Sequence, residues 1–143
     1  MFVFSKGKIR TGKLICDKPN KYAGTTNWGK NTQRGKDGVL KESKKIKPVP
    51  EFSPRNNIWR YVVGGGFGQK DEKAYKHPAT FPYDLAKDHI ITWSEEGDIV
   101  LDPFAGSGTT LLASKNNNRN FLGFEIFKEY CDLIDERLNT IKG

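Results

Sequence analysis

Between Asp102 and Thr110 the sequence reads DPFAGSGTT, with an apolar run before it and an apolar, alanine-containing run after it. Gly106 and Gly108 stand one residue apart among small hydroxyl residues. In a strand–turn–helix, such glycines let backbone and ligand approach closely, and the helix start offers unpaired N–H donors. Phosphates are the usual users of this arrangement, but two phosphate readings fail here. A P-loop requires a lysine directly after its last glycine, and none follows Gly108. A dinucleotide fingerprint requires a third small residue, and its position holds Leu111, which would crowd helix against strand. Asp102 at the mouth of the turn opposes both, since two like charges about 4 Å apart repel by ~1–4 kcal/mol.

A ligand carrying an ammonium group and a sulfonium suits this acid better than a phosphate does. S-adenosylmethionine is such a ligand, and it also has a ribose. Glu125 closes the segment NFLGFEI, seventeen residues beyond Gly108, where a strand-tip carboxylate can accept hydrogen bonds from both ribose hydroxyls. Ile126 beside it is placed to pack on an adenine face. The plainer alternative makes Asp102 a helix cap and Glu125 a solvated acid at a strand end. Two acids framing one glycine turn favour the cofactor.

Four elements must position these residues. GDIVLD reads as a buried strand, GTTLLASKNN as a helix running from the glycine turn, and NFLGFEI as a second strand. FKEYCDLIDERLNTIK is an amphipathic helix with Phe127, Tyr130, Cys131, Ile134, Leu138 and Ile141 on its apolar face. Strand, helix, strand, helix implies a parallel sheet with crossover helices, the doubly wound α/β class. Upstream, DEKAYKHPATFPYDLAKDHIITWS contains a further helix, with Thr80 expected as N-cap and Pro82 in the first turn. Phe81, Leu85 and Trp93 share one of its faces, with His89 between them as a packing histidine. NNIWRYVV (Asn56–Val63) reads as a strand broken by GGGFG, and MFVFSKGKIR opens with a short one. From Thr11 to Pro54 little apolar periodicity is visible, so a long loop-rich segment is expected. No internal repeats are visible.

Charge divides the chain unevenly. Its net +7 over 143 residues arises from thirteen Lys and Arg against three acids in residues 1–50, and eleven against fourteen beyond. The first third therefore suits a polyanion, the alternative being a solvated lysine-rich face. Arg34, Lys36, Lys44, Lys45 and Lys47 are the candidates for contact with a nucleic-acid backbone. Tyr22 and Trp28 lie among these lysines, either to stack on bases or to anchor the segment to a core. Two widely spaced cysteines (Cys16 and Cys131) and two histidines make a zinc site improbable and suggest reduced thiols in a cytoplasmic protein. MFVFSK is too short for a signal peptide, and no run reaches membrane-spanning length, so a soluble chain is expected.

DPFAGSGTT followed by FLGFEI resembles the cofactor signature of amino-group DNA methyltransferases, which methylate adenine N6 or cytosine N4. HPATFPYDLAKDHIITWS resembles the segment before that signature in members whose catalytic half comes first. MFVFSKGK resembles the strand and turn that close the catalytic half, and the basic stretch after it falls where target recognition belongs. The resemblance implies that Asp102, Phe104, Gly106, Ser107 and Gly108 hold the methionine part of S-adenosylmethionine and that Glu125 holds the ribose. It also implies that His77, Pro78, Ala79 and Thr80 complete the cofactor pocket. The implied organisation is the end of a catalytic half in residues 1–10, a recognition-like basic segment in 11–68, and a cofactor-binding βαβα part in 69–143.

The resemblance stops at catalysis. The family's tetrapeptide (Asp, Asn or Ser, then Pro-Pro, then an aromatic residue) grips the amine of a flipped-out base. This sequence contains no Pro-Pro pair, so no catalytic residue is assigned. The motif would lie upstream of Met1, and the chain reads as the C-terminal part of a methyltransferase that does not methylate DNA by itself. Its implied partners are double-stranded DNA and a missing catalytic half, in cis or in trans. Two other readings stay open: a non-catalytic DNA-binding or regulatory fragment, and a methyltransferase acting on RNA or a small molecule.

Overall fold

A computed structural model describes residues 6–7, 12–26, 32–42, 47–62 and 78–140. The elements run β1 (Cys16–Pro19), β2 (Thr32–Arg34), β3 (Leu40–Glu42), β4 (Phe52–Pro54), α1 (Tyr83–Trp93), β5 (Ile99–Asp102), α2 (Thr109–Asn116), β6 (Asn120–Gly123) and α3 (Lys128–Thr140). The chain divides into two units, one formed by residues 1–13 with 58–143 and the other by 14–57.

The site-bearing unit is built on a parallel pair. β5 and β6 run in register from Ile99 opposite Asn120 to Asp102 opposite Gly123. α2 is the crossover between them, as the apolar strands and the glycine break require. Val100 turns inward to a cluster of Ala86, Ile90 and Ala113, which joins α1 to α2. A second cluster, Ala105, Leu111 and Ile134 with Leu138, joins the glycine turn and α2 to α3. Leu133 is buried on α3 as well, whereas Phe127 precedes that helix and is exposed. The buried face of α3 is thus shifted from the expected stripe toward Leu133, Ile134 and Arg137. Ile141 lies outside the described residues.

α1 starts later than the sequence suggests. Its N-cap is Pro82, with no side-chain cap, and the Pro82 carbonyl accepts the Leu85 N–H at 3.0 Å. Thr80 lies two residues before that cap. Proline supplies a fixed φ of −59° at the entry to the helix, and no hydroxyl cap forms. Phe81, Leu85, His89 and Trp93 do share one face, and they line an open cavity together with Ala86 and Ile90, which also belong to the core. Arg119, buried between α2 and β6, donates to the Ser94 carbonyl (2.6 Å), the Ser94 Oγ (3.0 Å) and the Asn117 carbonyl (2.6 Å). These bonds fix the end of α1 to the turn that feeds β6.

No strand forms over the described part of NNIWRYVV, Asn56 to Val62. Its aromatic residues serve side-chain contacts instead. Trp59 stacks on His89 at 5.1 Å, and the Tyr61 hydroxyl bonds the buried Asp88 carboxylate at 2.7 Å. Tertiary partners override β-propensity here. Val63, the GGGFG run and residues 1–5 of the expected first strand lie outside the described residues.

The unit of residues 14–57 contains four short strands within the segment expected to be loop-rich. β1 pairs antiparallel with β4, with a register shift between Cys16 and Lys18, and β2 pairs antiparallel with β3. The β2–β3 turn closes through Gly35 N–H to the Val39 carbonyl (2.9 Å) and Gly38 at a φ of +75°. The sequence hides these strands because they have almost no apolar alternation: every described side chain of β1 is exposed. Arg55 holds the Asp17 carboxylate through Nε at 2.8 Å, and that hydrogen bond depresses the Asp17 pKa. Tyr22 is on the surface with Lys21 Nζ 5.4 Å above its ring, so it does not anchor the segment to a core. Trp28 lies outside the described residues.

Candidate functional site

The candidate site lies at the C-terminal ends of β5 and β6. The ladder continues past both strands, with Phe124 N–H donating to the Asp102 carbonyl (3.0 Å) and Ala105 N–H to the Phe124 carbonyl (2.9 Å). The glycine turn is therefore stitched to the exit of β6. Gly106 and Gly108 both have positive φ, +53° and +76°. Gly108 caps α2 in the left-handed region, its carbonyl accepting the Leu112 N–H at 2.9 Å.

The structure assigns the glycines distinct tasks. A Cβ on Gly108 would lie 2.8 Å from Ile134 Cγ1, so this glycine serves the turn and the packing of α3. Gly123 on β6 is the missed counterpart of Leu111. A Cβ there would come within 2.6 Å of Leu111 Cδ1 and 3.2 Å of Ala105 Cβ. The close approach that a small residue on the helix would provide is provided by a small residue on the strand. A glycine inside an apolar strand pattern was the signal available for it.

Both acids fold onto backbone donors. Asp102 Oδ1 accepts the Phe104 N–H at 3.1 Å. Glu125 reaches across to the turn: Oε2 accepts the Gly106 N–H at 2.8 Å, and Oε1 accepts those of Ile126 (2.8 Å) and Phe127 (3.0 Å). An ionised carboxylate has about four acceptor positions, and Asp102 uses one of them for the Phe104 N–H. Ile126 and Phe104 are 88% and 87% exposed, and with Phe124 and Phe127 they form an apolar rim around the turn.

Ser107 does not face that rim. It is buried, with its Oγ 3.2 Å from Thr109 Oγ1 and its carbonyl accepting from Arg137. Arg137, itself buried, also approaches Thr109 Oγ1 at 3.5 Å. It is the second residue that the sequence reading passed over. Its only signal was a cation among Ile134, Leu138 and Ile141 on an apolar stripe.

The structure thus brings together Asp102, Phe104, Gly106, Gly108, Glu125 and Ile126, with Ser107 beneath them. Pro78 and Ala79 are exposed and Thr80 half-buried in the bend leading into α1, which packs on α2. His77, Lys44 and Lys45 lie outside the described residues. Arg34 on β2, Lys36 in the following turn and Lys47 are exposed, while Lys41 pairs with Asp37 at 2.7 Å. Among the described residues no three His, Cys, Asp or Glu side chains are grouped to hold a metal. No described helix is long and apolar enough to cross a membrane.

A parallel strand–helix–strand–helix unit with a glycine turn at the strand ends defines a Rossmann-like α/β protein. The model of the DNA methylase family matches residues 1–136, and the chain belongs to that family. It is 48% identical over 140 residues to the orphan methyltransferase M.BamHII of Bacillus amyloliquefaciens, covering 98% of this chain and 53% of the relative. It is 43% identical over 96 residues to the type II methyltransferase M2.DpnII of Streptococcus pneumoniae, covering 66% of this chain and 34% of that protein. The crystal structure of the M1.HpyAVI–SAM complex superposes with a TM-score of 0.50 at 37% identity, covering 66% of this chain and 47% of the other. The chain thus spans about half the length of the Bacillus amyloliquefaciens relative.

Proposed function

We propose that this chain is the cofactor-binding and DNA-contacting part of a site-specific DNA methyltransferase, acting on the exocyclic amine of adenine (N6) or cytosine (N4). The observation that carries this reading is the pair of carboxylates, Asp102 and Glu125, bracketing one glycine turn at the ends of adjacent parallel strands. These residues fit S-adenosylmethionine: a cationic methionine end suits Asp102, ribose hydroxyls suit Glu125, and the exposed Ile126 offers an apolar face to adenine. When bound, the cofactor supplies the methyl group. Asp102 and Glu125 orient it, and the apolar rim of Phe104 and Ile126 excludes water from it.

The basic unit of residues 14–57 is the proposed DNA contact, with Arg34, Lys36 and Lys47 exposed. His77, Lys44 and Lys45 belong to this reading on sequence grounds alone. The sequence contains no Pro-Pro tetrapeptide, so in this reading methylation draws on a complementary catalytic half. A cytoplasmic location belongs to the same reading.

Titration of the purified chain with S-adenosylmethionine in a calorimeter tests it. Saturable binding is expected, weakened at least tenfold in Asp102→Ala and in Glu125→Ala, which corresponds to about 1.4 kcal/mol or more. Binding that neither substitution affects would refute the assignment. Salt-sensitive DNA binding with no cofactor binding would favour the non-catalytic reading, for which the separate basic unit speaks.

A further inference from the structure

Tyr22 has no task in the cofactor site. It stands in the turn after β1, 63% exposed, with the Lys21 ammonium 5.4 Å from the centre of its ring. Exposure of a single ring needs no explanation by itself. What sets Tyr22 apart is the backbone that carries it. On one side Asn20 N–H donates to the Glu51 carbonyl (2.9 Å) and Asn20 Nδ2 to the Pro50 carbonyl (2.8 Å). On the other, Gly24 N–H donates to the Val49 carbonyl (2.8 Å), and Val49 N–H returns to the Thr25 carbonyl (2.8 Å). The Tyr22 carbonyl itself accepts from the Thr25 hydroxyl (2.6 Å) and the Thr25 N–H (3.2 Å). Gly24, at a φ of +77°, lets the chain reverse. The turn is an extension of the β1–β4 pair, not a loose loop. A ring displayed on a fixed backbone loses little conformational entropy when a ligand covers it.

Charge names the ligand. Residues 14–57 hold ten Lys or Arg against four Asp or Glu. Two of those acids are already neutralised within the unit, Asp17 by Arg55 and Asp37 by Lys41. The unit therefore favours a polyanion. Among polyanions a nucleic acid also offers flat rings to an aromatic face, and phosphates to a cation beside it.

We propose that Tyr22 stacks on a nucleobase of DNA while Lys21 meets the adjacent phosphate. In a closed duplex both faces of every base are covered, so the ring finds a partner only where a step is open or a base displaced. Tyr22 therefore gives the basic unit a preference for opened DNA over closed duplex. Chemistry on the exocyclic amine of a base needs that opening, because the base must leave the stack. This inference rests on the proposed function, whose DNA contact it assigns to a particular side chain.

The test is fluorescence anisotropy with the full chain and two labelled duplexes of one sequence, fully paired or with a single unpaired base at the centre. The parent is expected to bind the second at least about fivefold more tightly, the lower end for stacking on one base. Tyr22→Ala should abolish that preference, and Tyr22→Phe should keep it. Should Tyr22→Ala fail to fold, Tyr22→Leu, apolar but not aromatic, gives the same reading. The slope of log affinity against log salt should be unchanged in Tyr22→Ala and shallower by about 0.9 in Lys21→Gln, since only the lysine neutralises a phosphate. Three results would overturn the proposal: a preference that survives Tyr22→Ala, one lost equally in Tyr22→Phe, or tighter binding of RNA of the same sequence. DNA binding without the preference removes this inference and leaves the function standing. A parent chain that binds neither duplex removes the DNA contact itself.

Discussion

At Glu125 one carboxylate connects two segments, through the Gly106 N–H on one side and the Ile126 and Phe127 N–H groups on the other. Glu125→Gln removes the charge and one of the two acceptor oxygens. It should lower stability by about 1–3 kcal/mol, read from the urea midpoint, as well as weakening the cofactor. At Gly108 an alanine would meet both an unfavourable φ of +76° and Ile134 at 2.8 Å. A decrease of about 1–3 kcal/mol is expected from the same measurement. His89 supplies a pH dependence. Burial depresses its pKa below the ordinary 6.5, partly opposed by Asp88, and Nδ1 is buried with no hydrogen-bond partner among the described residues. Because the unfolded chain takes up the proton first, this contribution is complete above about pH 6.5 and declines as the pH falls below it. His89→Phe, which keeps a ring against Trp59, should flatten the fall in Tm between pH 7.5 and 5.5 relative to the parent. Identical pH profiles would contradict this assignment.

The elements show how the turn is held from beneath. α3 presses Ile134 against Gly108 and sends Arg137 to the Ser107 carbonyl, while Leu111 of α2 fills the space that Gly123 leaves on β6. Arg137→Met should cost about 1–3 kcal/mol, because it strips a buried carbonyl of its donor. It should also weaken cofactor binding with the protein still folded, and Arg137→Lys should restore part of that affinity. Equal affinities for parent and Arg137→Met would limit Arg137 to a role in stability. The order of β5, α2, β6 and α3 was legible because short apolar runs alternate with the glycine turn and asparagines, and α3 repeats apolar residues at three- and four-residue spacing. Arg137 and Gly123 were not legible in that way, since their roles depend on what faces them across an interface. Over its described part, Asn56 to Val62, the expected strand fails for the same reason: Trp59 and Tyr61 are engaged by α1 side chains.

For the whole molecule, charge and fold are separated. The unit of residues 14–57 has short, exposed strands and a lysine-rich surface, while the other unit carries the parallel pair and both buried clusters. If the basic unit binds DNA phosphates, replacing Arg34, Lys36 and Lys47 together by Gln should weaken binding about equally across sequences. The slope of log affinity against log salt should become shallower by about 2–3, since each phosphate neutralised by a cation contributes roughly 0.9 to it. An unchanged slope would place the DNA-binding surface elsewhere.

The sequence by itself determined the glycine turn, its two acids, the order of the last four elements and the lack of a Pro-Pro pair. These depend on residue type and on spacing along one chain. Only the tertiary structure decided that Gly108 serves α3, that Gly123 makes room for Leu111, that Arg137 supports the turn, and that Ile99, Leu101 and Leu122 remain exposed. Close approach, burial and exposure depend on residues distant in sequence, and no local pattern encodes which of them will meet.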